Sequence, residues 1–320
     1  METDLQCAIL KTLSYFQVFQ HPLRKEEIWK FISIRCDPEE VHAALTALEE
    51  FSIVFNIDGY YCLCDNASMV ETRKEGNRLG KSKLKKAMRI SRFLGAFPFV
   101  EAVCISGSLS KDCASKDSDL DYFIVTAPNR LWTARNFMHL FRKMTFLVNA
   151  QHSFCMNYYV SLQDPEISPK NLYTAIELAT LKITEVSNGM KEIVNGNRQW
   201  VSAYLPNTDF GNNLIAAPHK KRIVTRIAEW LINKTGGDNT EARFYESTMK
   251  RWAKKWGKMK YPIGKCMQSA GYHFNTPLNY PKHLPESILE THEIIYRQAE
   301  RRYKIAISNI TPTIEEPHYH

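Results

Sequence analysis

Three aspartates crowd one short stretch of the chain, Asp117, Asp119 and Asp121 in "KDSDLDYFIVT". Asp119 and Asp121 stand two apart at the entry of an apolar run, so in a strand both carboxylates point to one face. Carboxylates so close repel each other. The repulsion becomes useful when divalent cations sit between them and an anionic substrate. Asp117 lies on that face too, but ahead of the strand, which leaves it a supporting role at most. A short spacer upstream is Gly107-Ser108, directly after the apolar run "FPFVEAVCIS". Gly107 permits close approach of the backbone, and Ser108 donates a hydrogen bond.

These residues need elements to hold them. "FPFVEAVCIS" reads as a strand leading into the Gly-Ser turn, and "DSDLDYFIVT" as a second strand whose continuous apolar run is that of a central position. "RLWTARNFMHLFRKMTFLV" has helical spacing, and "SFCMNYYVS" reads as another strand. Strand, turn, strand, helix, strand predicts an α/β (α+β) domain with a mixed sheet over residues 96–165.

The combined pattern "GSLSKDCASKDSDLDYFIV" resembles the signature of the DNA polymerase beta-like nucleotidyltransferase superfamily: Gly-Ser, a spacer, then Asp-x-Asp in an apolar strand. The resemblance covers residues 97–161 closely. It implies that Gly107 and Ser108 hold the phosphates of a nucleoside triphosphate, taken as ATP, and that Asp119 and Asp121 bind magnesium or manganese. It further implies transfer of a nucleoside monophosphate to a hydroxyl acceptor on a small molecule, protein or nucleic acid. Active members place a third carboxylate on a later strand; here the corresponding position holds Asn157, which ligates weakly and cannot take up a proton at neutral pH. Asp164 and Glu177 are the acids that could replace it if the chain turns back. In the family an appended helical domain supplies further phosphate contacts, which makes Lys182 a candidate. "RLWTAR" and "NLYTAIELATLKI" look like the helices of bacterial and archaeal proteins that carry this domain behind an N-terminal winged helix.

Residues 1–65 form a unit of their own: three helices and a hairpin. His21-Pro22 ends the first helix, Asp37-Pro38 starts the third as N-cap and first helical residue, and Asp58-Gly59 marks the hairpin turn. This order resembles a winged helix-turn-helix. Its third helix carries Glu39, Glu40, Glu49 and Glu50, which phosphates repel, so packing or dimerisation is favoured over DNA reading. Residues 66–95 form a basic helical connector.

The net charge of +8 is concentrated: residues 73–92 hold nine Lys or Arg and one acid, and residues 250–265 hold seven and none. Such windows suit nucleotide phosphates or another polyanion, or are solvated helix faces. Residues 166–307 read as a helical domain, with "PKNLYTAIELATLKITEV" as its first helix and Trp252 and Trp256 on one face of a later one. Residues 308–320 read as a frayed tail. Eight irregularly spaced cysteines match neither a disulfide framework nor paired zinc ligands. Acids at the N-terminus and no apolar run of membrane-spanning length predict a cytoplasmic protein. Two other readings compete with an enzyme: a regulator that senses nucleotide or binds DNA, and an assembly module without chemistry.

Overall fold

The computed structural model describes residues 2–145, 147, 151–186, 189–211, 221–256, 269–271 and 284–308. The tail from residue 309, His318 and His320 within it, and most of the second basic window lie outside the described residues. The chain divides into two compact units: Met1–Arg73 with Leu205–Thr208 and Glu286–His320, and Lys74–Tyr204 with Asp209–Pro285.

The first unit contains α1 (Glu2–Gln17), α2 (Lys25–Phe31), α3 (Pro38–Glu50) and the hairpin strands β1 (Phe55–Ile57) and β2 (Tyr60–Cys62). Asp37 and Glu40 cap α3 reciprocally, and Pro38 occupies its first turn. Asp58 and Gly59 both adopt positive φ, 53° and 77°, the turn whose twist matches the paired strands. The unit extends beyond residue 65 to include the start of α4 (Ala67–Gly95) and most of α11 (Leu284–Ser308). The α11 residue Tyr303 donates to Gln6 on α1, and His292 lies 3.0 Å from the Lys11 carbonyl.

The second unit is built on a mixed five-stranded sheet in the order β6-β3-β4-β5-β7. Its strands are β3 (Val100–Ile105), β4 (Asp121–Thr126), β5 (Cys155–Ser161), β6 (Lys182–Val186) and β7 (Ser269–Gly271). β4 runs parallel to β5, and the other neighbours pair antiparallel. Val103, Ile105, Tyr122, Ile124, Met156 and Tyr159 form a core with Trp132 of α6 (Leu131–Thr145). The remaining helices are α5 (Gly107–Ser110), α7 (Leu172–Ala179), α8 (Gly189–Tyr204), α9 (Ile223–Lys234) and α10 (Gly237–Trp256). Glu241 of α10 caps α6 from outside, accepting from the Trp132 and Thr133 amides at 2.8 Å.

One expected element is corrected. The helix read through "LATLKITEV" stops at Ala179, and Lys182–Val186 is strand β6, paired with β3. Its β-branched Ile183, Thr184 and Val186 suit a pleated surface, and the β3 edge gives them backbone partners. The region read as helical therefore contributes β6 and β7 to the sheet. No helix among the described residues is long and apolar enough to cross a membrane.

Candidate functional site

β3 delivers the chain to Ser106 in extended conformation, and Gly107 then turns with φ +66° into α5. Glycine adopts that conformation at the least cost. The turn abuts β4: the Ser106 amide donates to the Asp121 carbonyl at 3.0 Å. A Cβ on Gly107 would stand 2.4 Å from Oδ2 of Asp121. The glycine thus brings the turn against the carboxylate. Ser108 is exposed in the first turn of α5.

Asp121 is the first residue of β4, and Asp119 lies in the approach to it rather than in the strand. Leu120 fixes that approach, donating to the His152 carbonyl at 3.0 Å and accepting from the Cys155 amide at 3.2 Å. The same pairing sets His152 beside Asp119, with Nδ1 and Oδ1 2.7 Å apart at the surface. His152 escaped the sequence reading. The signal was the parallel β4–β5 register, in which residues ahead of Asp121 face residues ahead of Cys155.

Asn157 reaches the site through an irregularity. The register steps from Tyr122↔Met156 to Phe123↔Tyr158, leaving Asn157 as the extra residue of a bulge. Its Nδ2 donates to Oδ1 of Asp121 at 2.5 Å, and its Oδ1 accepts from the Cys155 thiol at 2.9 Å. Reversing the amide would set an oxygen against a carboxylate and a donor against a thiol proton, so this network selects the orientation. Asn157 orients Asp121 here, with its own oxygen engaged by Cys155. Burial, reinforced by the Asp121 charge, pushes the Cys155 thiol up to about 12, which keeps it protonated as a donor.

The other candidates fall in different places. Asp164 follows Ser161, which pairs with Thr126 at the opposite end of β4, about 17 Å along the strand from Asp121. Glu177 lies closer. It pairs at 2.7 Å with Lys111, whose Nζ also reaches the Gly107 carbonyl at 3.3 Å. The buried Tyr173 hydroxyl is pushed up by burial and then by both Glu177 and Asp121. Lys182 sits on β6, opposite Ile105 at the end of β3, and pairs with Asp112 at 3.1 Å. Its ammonium is committed to the loop after the turn. Trp252 packs edge-on to Trp132, 6.0 Å between centroids, and the side chain of Trp256 lies outside the described residues.

The loop that carries Asp117 and Asp119 rests on α4. A Cβ on Gly80 would meet the Asp112 carbonyl at 2.8 Å, and one on Gly76 would meet Sγ of Cys113 at 2.5 Å. The Gly76 carbonyl accepts from Ala114, and Lys83 donates to the carbonyls of Lys116 and Ser118 at 2.9 and 2.8 Å. Gly76, Gly80 and Lys83 follow one another at helical spacing, so one face of the basic connector seats the aspartate loop.

Among the described residues no group of three or more His, Cys, Asp or Glu side chains is gathered to hold a metal ion. Two carboxylates do not make a protein cage, but they are a sufficient protein share for magnesium, which keeps waters and takes further ligands from substrate phosphates. The missing side chain at Gly107 lets the turn lie directly against the Asp121 carboxylate, where a Cβ would stand 2.4 Å from Oδ2. Compared with family models, curated proteins and solved structures, the chain finds no match.

Proposed function

We propose that the protein is a metal-dependent nucleotidyltransferase that moves a nucleoside monophosphate from a nucleoside triphosphate, taken as ATP, to a hydroxyl acceptor. The observation that carries this reading is the contact between the Gly107 turn and Asp121, with Asp119 on the approach to the same strand end. It joins the two halves of the pattern that resembles the polymerase beta-like superfamily, and the second unit is read as that fold and the first as a winged helix. Asp119 and Asp121 would hold magnesium or manganese, which supplies charge neutralisation at the triphosphate. The Gly107-Ser108 backbone and hydroxyl receive phosphate oxygens, and Asn157 holds Asp121 in place. The acceptor oxygen forms a bond to the α-phosphorus while the bond to the bridging oxygen breaks and pyrophosphate leaves. His152, bonded to Asp119, is a base beside that carboxylate and takes the acceptor's proton.

The test is incubation of the purified protein with labelled triphosphates, magnesium or manganese, and a cell extract. A labelled acceptor is expected, and its yield should fall at least about a hundredfold in Asp119→Asn and in Asp121→Asn. Equal labelling by these variants sinks the proposal. A DNA-reading regulator is disfavoured by α3, on which Glu39, Glu40 and Glu50 are exposed.

A further inference from the structure

α6 and α10 flank a half-open cavity of about 410 Å³ whose lining includes Arg135, His139, Lys143, Phe244, Arg251 and Trp252. That volume lies within the roughly 300–1,000 Å³ of small-molecule sites. No carboxylate is among its described lining residues. The acids of the two helices are occupied or turned away: Glu241 caps α6, Asp238 pairs with Arg130, and Glu246 is exposed outside the cavity. Arg251 donates to the Ser247 carbonyl, Thr248 Oγ1 and Asn136 Oδ1 at 3.2, 3.2 and 3.4 Å, all neutral acceptors. Arg135 is only 7 % exposed, its guanidinium 4.9 Å from the centre of the Trp252 ring. The His139 imidazole is held neutral by burial and then by Arg135, Arg142, Arg251 and Lys143. The walls between these cations are rings, Phe244 and Trp252, both half-buried.

We infer that this cavity binds a small phosphorylated compound with a planar ring, of the nucleoside monophosphate class. A phosphate monoester carries about −1.5 to −2 charges at neutral pH, which suits a lining with two exposed cations, Lys143 and Arg251, better than a single carboxylate does. Guanidinium groups bind its oxygens in pairs, and the aromatic walls take the ring. Arg135, Lys143 and Arg251 line one cavity of about 410 Å³, a size that fits a mononucleotide rather than a strand. The inference does not depend on nucleotidyl transfer, since none of these residues belongs to the aspartate site.

The experiment is calorimetric titration of the full-length protein with AMP and with adenosine, magnesium absent. AMP is expected to bind saturably, at least about tenfold tighter than adenosine, and Lys143→Ala and Arg251→Ala should each weaken it by about tenfold or more. Both side chains are exposed, and unchanged thermal melting would show that the variants fold. The double variant Asp119→Asn/Asp121→Asn should bind AMP as the parent does, which separates this site from the aspartates. The inference is overturned by absent saturable binding, by equal affinity for adenosine, by undiminished affinity in Lys143→Ala and Arg251→Ala, or by loss of binding in the aspartate double variant alone.

Discussion

Gly107 and Asp121 are packed so closely that the first has no room for a side chain: a Cβ would lie 2.4 Å from the carboxylate oxygen Oδ2. Gly107→Ala therefore carries two costs, the left-handed backbone at φ +66° and the displacement of Asp121. Together they should lower stability by about 1–3 kcal/mol. Asp121→Ala removes the oxygen that the new methyl group would strike but leaves the backbone strain. In urea unfolding, the double variant should be more stable than the sum of the single losses predicts. Strict additivity would mean that the two residues do not press on each other.

A second glycine makes an opposite claim on intuition. In the middle of a helix, Gly→Ala normally stabilises by about 1 kcal/mol. At Gly80 the methyl group would meet the backbone carbonyl of Asp112 at 2.8 Å, and a backbone cannot rotate away. Gly80→Ala should destabilise by about 1–3 kcal/mol despite the helical gain. Ser82→Ala, on the exposed side of the same helix, should be neutral or slightly stabilising. Thermal unfolding of the two variants decides the matter, and a stabilised Gly80→Ala would detach the aspartate loop from α4.

What could be read in the sequence was what local chemistry encodes. Asp37-Pro38, Asp58-Gly59 and the apolar runs around Gly107 and Asp121 specify caps, turns and central strands by themselves, and each stands where expected. What escaped depends on partners distant in sequence. Leu172, Ile176, Ala179 and Ile183 keep helical spacing, so nothing local announced that the chain leaves the helix at Thr180 to pair with β3. His152 acquires meaning only from the β4–β5 register, and Asn157 faces Asp121 because of a bulge. α9 is the sharpest case: Ile223, Val224, Ile227 and Trp230 face outward. Thr225 turns inward to the Ala96 carbonyl, and Glu229 accepts from the Phe99 amide and Lys221. Hydrogen bonds made across the fold, rather than the helix's own apolar stripe, set its orientation.

The buried thiols make stability fall in alkali. Burial pushes both Cys104 and Cys155 up to about 12 from an ordinary value of 9.0. Below about pH 9 each is neutral in the folded and the unfolded chain, so stability does not change on their account. Between about 9 and 12 the unfolded chain loses the proton and the folded one keeps it. Each thiol then removes about 1.4 kcal/mol of stability per pH unit. Urea midpoints across this range should fall more steeply for the parent than for Cys155→Ser, by about one proton's worth. Identical slopes would place Cys155 in water.

Asn157 bears on why the site has two carboxylates rather than three. Its amide donates to Asp121 at 2.5 Å, an arrangement that needs no cation to be stable. Asn157→Asp replaces that donor by a carboxylate at hydrogen-bond distance from Asp121, and two ionised carboxylates so close repel each other. Without divalent cations the variant should be less stable than the parent at neutral pH and recover in mild acid, where one proton bridges the pair. A cation between the carboxylates removes the same repulsion, so magnesium or manganese should raise the melting temperature of the variant well above its effect on the parent. By mass action, a cation at about a hundred times its dissociation constant adds about 2.7 kcal/mol. If nucleotidyl transfer limits on cation occupancy, the variant should also label acceptor faster at low magnesium. Melting curves with and without the cation read the effect directly. Equal shifts in parent and variant would mean that residue 157 faces Asp121 but not the cation, leaving it the positioning role that its present hydrogen bonds describe.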